Sequence, residues 1–249
     1  MLRPLQDLVG QLYQHTPFHR PKQALLVQQN EECADNISFV SQLLHRRGYR
    51  TKVVGVEECT RERVLSSIDE LAQSGRSNSR TFFYYAGRGH HIGKDYANGI
   101  TVNGTDVDSQ RIVPYALFKR LRNVKGKKAV VIDACLSGEF SEYLESQHQD
   151  KLLTDYVLIA STTKDGLSIN TSWSSPKDSP LKDRIVSSVV YWLYTNGNTH
   201  KRINLAGIPI PTFKFLEGYP QELQKIHPGI NVEKINLQIQ RVSDTNFIL

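Results

Sequence analysis

The residues best able to do chemistry lie in two short segments, each of which follows an apolar run. The first is YYAGRGHH, residues 84–91, in which Arg88 stands between two glycines and is followed by two histidines. The second is VVIDACLSG, which carries Asp133 and Cys135 and ends at Gly138. A thiolate beside an imidazole can attack a carbonyl carbon and then protonate the leaving group, so this combination predicts a Cys/His hydrolase.

Cys135 is the candidate nucleophile among the three cysteines of the chain. It stands where the second apolar run ends, and Ser137 and Gly138 follow it, so the chain can turn sharply there. Backbone N–H groups in such a turn can face a developing oxyanion. A helix that starts near Glu139 would favour the thiolate. The alternative is a buried core cysteine, which is the commonest environment of a free thiol.

The neighbours of Cys135 allow more than one interpretation. Arg88 can lower the pKa of a thiol by its charge, but it does not release its proton at accessible pH. The proton carrier is then His90 or His91, unless both histidines belong to a solvated turn. Asp133 lies on the same side of its strand as Cys135 and would favour a basic substrate side chain. It could instead cap the turn that follows the strand.

Short apolar runs alternate with helical patterns along the chain. The strands and helices that they predict must position the candidate residues. The alternation predicts an α/β fold with a mostly parallel six-stranded sheet and helices on both faces, the last helix lying within Pro180–Gly197. In such sheets the chemistry sits in the loops at the carboxyl ends of the strands. The predicted strands are Gln23–Gln28, Thr51–Val56, Arg80–Gly87, Lys128–Ala134, Tyr156–Thr162 and, at the edge, Glu233–Val242.

The 249 residues fit one domain, with a core of about 21–197 and the edge strand at about 233–242. The net charge is +6, but the basic runs fall at predicted helix ends without interleaved aromatic residues, so we expect no nucleic-acid partner. No apolar segment approaches 18 residues, so we expect no membrane span. Three cysteines without close pairing predict a reducing, cytoplasmic location.

The two segments, in this order of strands and helices, resemble the caspase-like superfamily of cysteine peptidases. The likeness is nearer to metacaspases, paracaspases and their bacterial relatives, which typically carry YAGHG in the first segment and DAC-x-SG or DxC-x-SG in the second. It covers about Pro21 to Gly197. The family histidine falls on Arg88 in this chain, and a shift of two residues would be needed to bring His90 to its place.

The resemblance implies a role for each matching residue. Cys135 corresponds to the nucleophile, and Asp133 to the acidic residue that receives Arg or Lys before the scissile bond. The backbone N–H groups of Gly89 and Cys135 would hold the oxyanion. Cys33, Asp35 and Ser161 would help to line the pocket.

The function implied is a cysteine endopeptidase that cleaves a protein or peptide substrate after basic residues, with His90 as the proton carrier. The alternative is a pseudopeptidase that acts as a regulatory or binding module, because Arg88 replaces the family histidine. Some metacaspases need calcium, although this sequence has no dense Asp run of ligand spacing, and no other cofactor is implied. The resemblance also implies that two copies of the chain pair through the last strand.

Overall fold

The computed structural model describes residues 21–90, 99–106, 109–148, 156–162, 168, 170–172, 185–187, 189–190, 193 and 238–240. Within them lie eleven strands and four α-helices whose bounds are described, numbered here in chain order. The helices are α1 Ala34–Arg46, α2 Arg61–Ser74, α3 Pro114–Leu121 and α4 Gly138–His148. The strands are β1 Lys22–Gln28, β2 Arg50–Val54, β3 Arg80–Ala86, β4 Gly89–His90, β5 Gly99–Thr101, β6 Arg111–Ile112, β7 Lys127–Asp133, β8 Tyr156–Ala160, β9 Asn170–Ser172, β10 Ile185–Ser187 and β11 Gln238–Gln240.

The described residues form a central six-stranded sheet in the order β11-β8-β7-β3-β1-β2. The five strands from β8 to β2 are parallel to one another, and β11 pairs antiparallel with β8 at the edge. The prediction of a mostly parallel α/β sheet is therefore confirmed. Among the described residues, the edge strand β11 forms inside the predicted range.

Helices cover both faces of this sheet, as the sequence predicts. On one face α1 packs with residues that precede and follow Ser187, and on the other face lie α2, α3 and α4. The inner strands β3, β7 and β8 are therefore buried along almost their whole length. Burial on both faces explains why their apolar residues are continuous instead of alternating.

A capping residue and a proline mark where two of the helices start. The Oγ1 atom of Thr60 accepts a hydrogen bond from the N–H of Arg63 at 3.2 Å and so caps α2. Pro114 occupies the first position of α3, where its missing N–H costs nothing. Thr60 and Pro114 thus fix the points at which α2 and α3 begin. The candidate site lies in other loops, at the ends of the strands.

Two segments contain strands in addition to the six that the sequence analysis gives. The polar stretch after Gly89 forms a small antiparallel sheet of β4, β5 and β6. Residues 185–187 form β10, paired antiparallel with β9, inside the segment predicted to be helical. Ile185 and Val186 are β-branched and favour the extended form once a partner strand is available. Residues 189, 190 and 193 are helical, so the helix pattern in this segment begins after the strand.

No helix among the described residues is long and apolar enough to cross a membrane.

Candidate functional site

The loops after β1, β3, β7 and β8 meet at one edge of the sheet, at the carboxyl ends of the strands. The N–H of Gln29 donates to the carbonyl of Ala86 at 3.0 Å, and that of Gly87 donates to the carbonyl of Asp133 at 3.2 Å. The N–H of Ser161 reaches the carbonyl of Ile132 at 3.0 Å. These three bonds tie neighbouring strand ends together, so the two chemistry-bearing segments are side by side.

Cys135 sits in a sharp turn between β7 and α4, and its side chain is half-buried. The next residue, Leu136, has φ of 60°, a left-handed conformation that costs a branched side chain about 1–2 kcal/mol. Helix α4 starts at Gly138, one residue earlier than predicted. Strain of this kind persists only where the surroundings hold the chain in place, and it is concentrated at functional sites.

Hydroxyl groups from the end of β8 hold this turn. The Oγ of Ser161 accepts from the N–H of Ala134 at 3.0 Å and donates to the carbonyl of the same residue at 2.9 Å. The Oγ of Ser137 accepts from the N–H of Thr162 at 3.0 Å, and Thr162 Oγ1 accepts from the N–H of Ser137 at 3.3 Å. Ser161 was predicted to line the pocket, and its hydroxyl contacts the backbone of Ala134 and, at 3.4 Å, the hydroxyl of Ser137.

Gly89 brings the first segment against the nucleophile. A Cβ atom at this position would lie 1.7 Å from the carbonyl oxygen of Cys135, so no other residue fits without a backbone shift. The N–H of Thr101 donates to the carbonyl of Arg88, which makes Gly89 and Ile100 a non-hydrogen-bonded pair of the β4–β5 ladder. The N–H of Gly89 is therefore not used by β5.

The backbone of Cys135 offers a second donor beside it. Among the described residues, no acceptor is recorded for the Cys135 N–H. The two N–H groups that the resemblance assigns to an oxyanion are thus both available on adjacent loops.

Arg88 lies two residues after the end of β3, and hydrogen bonds hold its backbone. Its N–H donates to Gln29 Oε1 at 3.3 Å, and its carbonyl accepts from the N–H of Thr101 and the hydroxyl of Tyr85, both at 2.9 Å. The side chain is exposed, and within the described part of the chain it makes no ion pair with Asp133. His90 continues into β4 with its backbone paired to Gly99, and its side chain and all of His91 lie outside the described residues.

Asp133 is a buried carboxyl group surrounded by neutral donors, with 4% of its surface exposed. Its Oδ2 accepts from the hydroxyls of Tyr84 at 2.8 Å and Ser187, and its Oδ1 accepts from the Ser168 hydroxyl at 3.2 Å. Burial raises the pKa of this carboxyl, while the three hydroxyls act in the opposite direction. A cation entering here would supply the countercharge that no described residue provides.

Three further residues near Asp133 were not predicted as site residues from the sequence. Tyr84 lies inside a continuous apolar run, so it has the pattern of a core residue, although it shares a face of the sheet with Asp133. Ser187 lies in a segment predicted as helix. Asn36 is buried, and its Oδ1 accepts from the N–H of Ser187 at 3.0 Å, whereas the predicted Asp35 beside it is only half-buried. Cys33 is buried at the start of α1.

Ser168 connects the nucleophile to the carboxylate. Its N–H donates to Cys135 Sγ at 3.2 Å, and its carbonyl faces the same sulfur at 3.6 Å. Its hydroxyl reaches Asp133 Oδ1. A substrate residue could bind with its backbone at the Cys135 sulfur and its side chain at the Asp133 carboxylate. Ser168 occupies both of these positions, so it must be displaced when such a substrate binds.

The three thiols should differ sharply in reactivity. Burial raises the pKa of Cys59 to about 12, so about one in ten thousand of these thiols is ionised at pH 8. Cys33 is buried as well, whereas the sulfur of Cys135 is partly accessible. We expect iodoacetamide to modify Cys135 first in the folded protein, as read by peptide mass mapping. Equal modification of Cys59 and Cys135 would contradict this arrangement.

Neither a metal centre nor a disulfide is found in the described part of the chain. No group of three or more His, Cys, Asp or Glu side chains there could hold a metal ion, and all three cysteines are free.

Comparison with known proteins identifies the family of this chain. A family model described as a caspase domain, Peptidase_C14, matches residues 25–188, which is well over half of the chain. Among solved structures, the crystal structure of protein GSU0716 from Geobacter sulfurreducens is similar, with 14% identity and a TM-score of 0.47. That match covers 72% of this chain and 83% of the other. No curated protein matches the chain.

Proposed function

Because this chain belongs to the caspase-domain family, a family of cysteine peptidases, we propose that it is an endopeptidase that cleaves after Arg or Lys. The observation that carries the basic specificity is the environment of Asp133. Its carboxyl group is buried among three hydroxyls, and no described cation pairs with it. A basic side chain is the substrate group that such a site lacks, because a buried carboxylate is stabilised by a paired charge.

In the proposed reaction the thiolate of Cys135 attacks the carbonyl carbon of the basic residue. The carbonyl oxygen becomes an oxyanion, and the backbone N–H groups of Gly89 and Cys135 stabilise it. The C–N bond then breaks, and the leaving amine takes a proton from the catalytic acid. Water hydrolyses the remaining thioester, which releases the acid product and restores the thiol.

We assign the proton transfer to His90. An imidazole titrates near neutral pH, whereas the guanidinium of Arg88 holds its proton throughout the working range. The proposal requires the His90 imidazole to reach Cys135 from β4 when substrate is bound.

The fixed backbone of Arg88 favours a second candidate function. Three hydrogen bonds hold this residue at the strand end, in the position that the resemblance gives to the catalytic histidine. If no other group carries the proton, the chain is a pseudopeptidase that binds basic peptide segments through Asp133. The two candidates share the binding pocket and differ in turnover.

An irreversible label tests the proposed function. We expect a peptidyl acyloxymethyl ketone with Arg at the reactive end to alkylate Cys135, and the counterpart with Asp to react at least about tenfold more slowly, because Asp133 repels it. Intact-mass measurement reads the reaction, and Cys135→Ala is the control. Equal labelling by both compounds would contradict the basic specificity.

The variant Arg88→His separates the two candidates in the same assay. If labelling becomes about a hundredfold faster or more in this variant, the natural chain lacks its proton carrier and the pseudopeptidase describes it better. An unchanged or slower rate supports a working site with a histidine elsewhere.

A further inference from the structure

Among the described residues of strand β3, only the Tyr84 side chain places a polar atom against the carboxyl group of Asp133. Its ring is fully buried between sheet and helix, and its hydroxyl donates to Asp133 Oδ2 at 2.8 Å. A phenol of this kind could be replaced by Phe without loss of apolar contact. The hydroxyl therefore needs an explanation beyond packing of the core.

The two oxygens of the Asp133 carboxyl group have different surroundings. Oδ2 accepts from Tyr84 and Ser187, and both donors come from buried strand positions. Oδ1 accepts only from Ser168, at 3.2 Å, among the described residues. Since Ser168 must leave when substrate binds, Oδ1 becomes the free acceptor, while Oδ2 remains occupied.

We propose that Tyr84 is a positioning residue for substrate recognition: its hydroxyl supports the negative charge of Asp133 and turns Oδ1 toward the incoming basic side chain. The inference rests on the proposed function, because it concerns the pocket for the Arg or Lys before the scissile bond. It adds a residue that touches no substrate and acts through Asp133.

The groups that face Asp133 agree with this role. Burial and the nearby carboxylate raise the pKa of the Tyr84 hydroxyl, so it remains a donor at every working pH. Ser187 from β10 and Ser168 supply the other two hydroxyls, and the buried Cys33 lies close enough to influence Tyr84 electrostatically. No positively charged side chain is recorded against the carboxyl group in the described part of the chain.

The test compares Tyr84→Phe with Tyr49→Phe, both in a Cys135→Ala background so that binding is measured without cleavage. Tyr49 is a matched control: it is buried on the same side of the sheet, and its hydroxyl has no recorded partner among the described residues. The ligands are two fluorescent peptides that end in arginine or in citrulline, its uncharged isostere. Their dissociation constants are read by fluorescence polarisation.

We expect Tyr84→Phe to weaken binding of the arginine peptide about tenfold, the effect of losing a hydrogen bond to a charged group. Binding of the citrulline peptide should change by less than about twofold, because the lost interaction supports only the charge. Tyr49→Phe should leave both constants unchanged. A carboxyl ¹³C NMR titration should show the pKa of Asp133 raised in Tyr84→Phe relative to the parent.

Two results would overturn the inference, and they have different meanings. If the parent protein binds both peptides equally, the proposed recognition of a basic residue fails, and the role of Tyr84 fails with it. If the parent prefers arginine but Tyr84→Phe keeps the same preference and the same Asp133 pKa, only the role of Tyr84 is wrong.

Discussion

Replacing Asp133 with asparagine is expected to lower kcat/KM for Arg and Lys substrates by about a hundredfold to a thousandfold. The change removes one partner of a buried charge pair, which typically costs 3–5 kcal/mol, while each factor of ten corresponds to about 1.4 kcal/mol. The amide oxygen still accepts from Tyr84 and Ser187, so the pocket keeps its shape. The loss should appear mainly in KM, because the basic side chain is remote from the reacting carbonyl.

The same substitution should stabilise the folded protein at pH 8. Burial raises the pKa of Asp133 in the folded state above its unfolded value. A group of this kind contributes stability below its unfolded pKa, and that contribution is lost as the pH rises through the folded pKa. The stability gap between Asp133→Asn and the natural chain should therefore widen from pH 4 to pH 8 in denaturant unfolding.

Asp69→Asn provides the control for both measurements. Asp69 pairs with Arg120 at the surface, far from Cys135 in sequence and on a helix outside the site, and exposed pairs of this kind are worth little. A stability gap that narrows with rising pH, or an Asp133→Asn variant with normal turnover of Arg peptides, would show that the carboxylate does not act as described.

Replacing His90 with alanine is expected to lower kcat by about a hundredfold to ten thousandfold, the usual contribution of general acid–base catalysis. KM should change little, because the histidine acts on the proton and makes no contact with the basic side chain. Added imidazole should restore part of the activity, since it can carry the same proton. Initial rates with a fluorogenic Arg peptide measure both effects.

His45→Ala is the matched control for this experiment, because His45 is exposed in the last turn of α1. Its turnover should equal that of the natural chain. If His90→Ala retains normal turnover, or if the loss occurs in His91→Ala instead, His90 is not the proton carrier.

The sequence predicted the elements that hold the site because their signals are local. Continuous apolar runs mark strands that are covered on both faces, and β3, β7 and β8 follow this pattern. The position of Cys135 after such a run, with a glycine three residues later, is sufficient to predict the turn. Thr60 and Pro114 mark helix starts for reasons that do not depend on the rest of the fold.

The contacts around Asp133 could not be predicted, because they join segments that are distant in the chain. Ser187 reaches the carboxylate across more than fifty residues and does so from a strand that forms only when β9 is beside it. Tyr84 has no polar pattern around it that separates it from a core residue. The positive φ of Leu136 likewise follows from the hydroxyl contacts of Ser161 and Thr162, and not from its own preference.

Turnover of short peptides shows whether Cys135 acts as the proposed nucleophile and whether the pocket takes basic residues. Fluorogenic peptides ending in Arg, Lys or Asp are offered to the natural chain and to Cys135→Ala under identical conditions. We expect the natural chain to turn over the Arg and Lys peptides but not the Asp peptide, and we expect no turnover by Cys135→Ala. Absence of turnover by the natural chain, or turnover that survives in Cys135→Ala, would contradict the proposal.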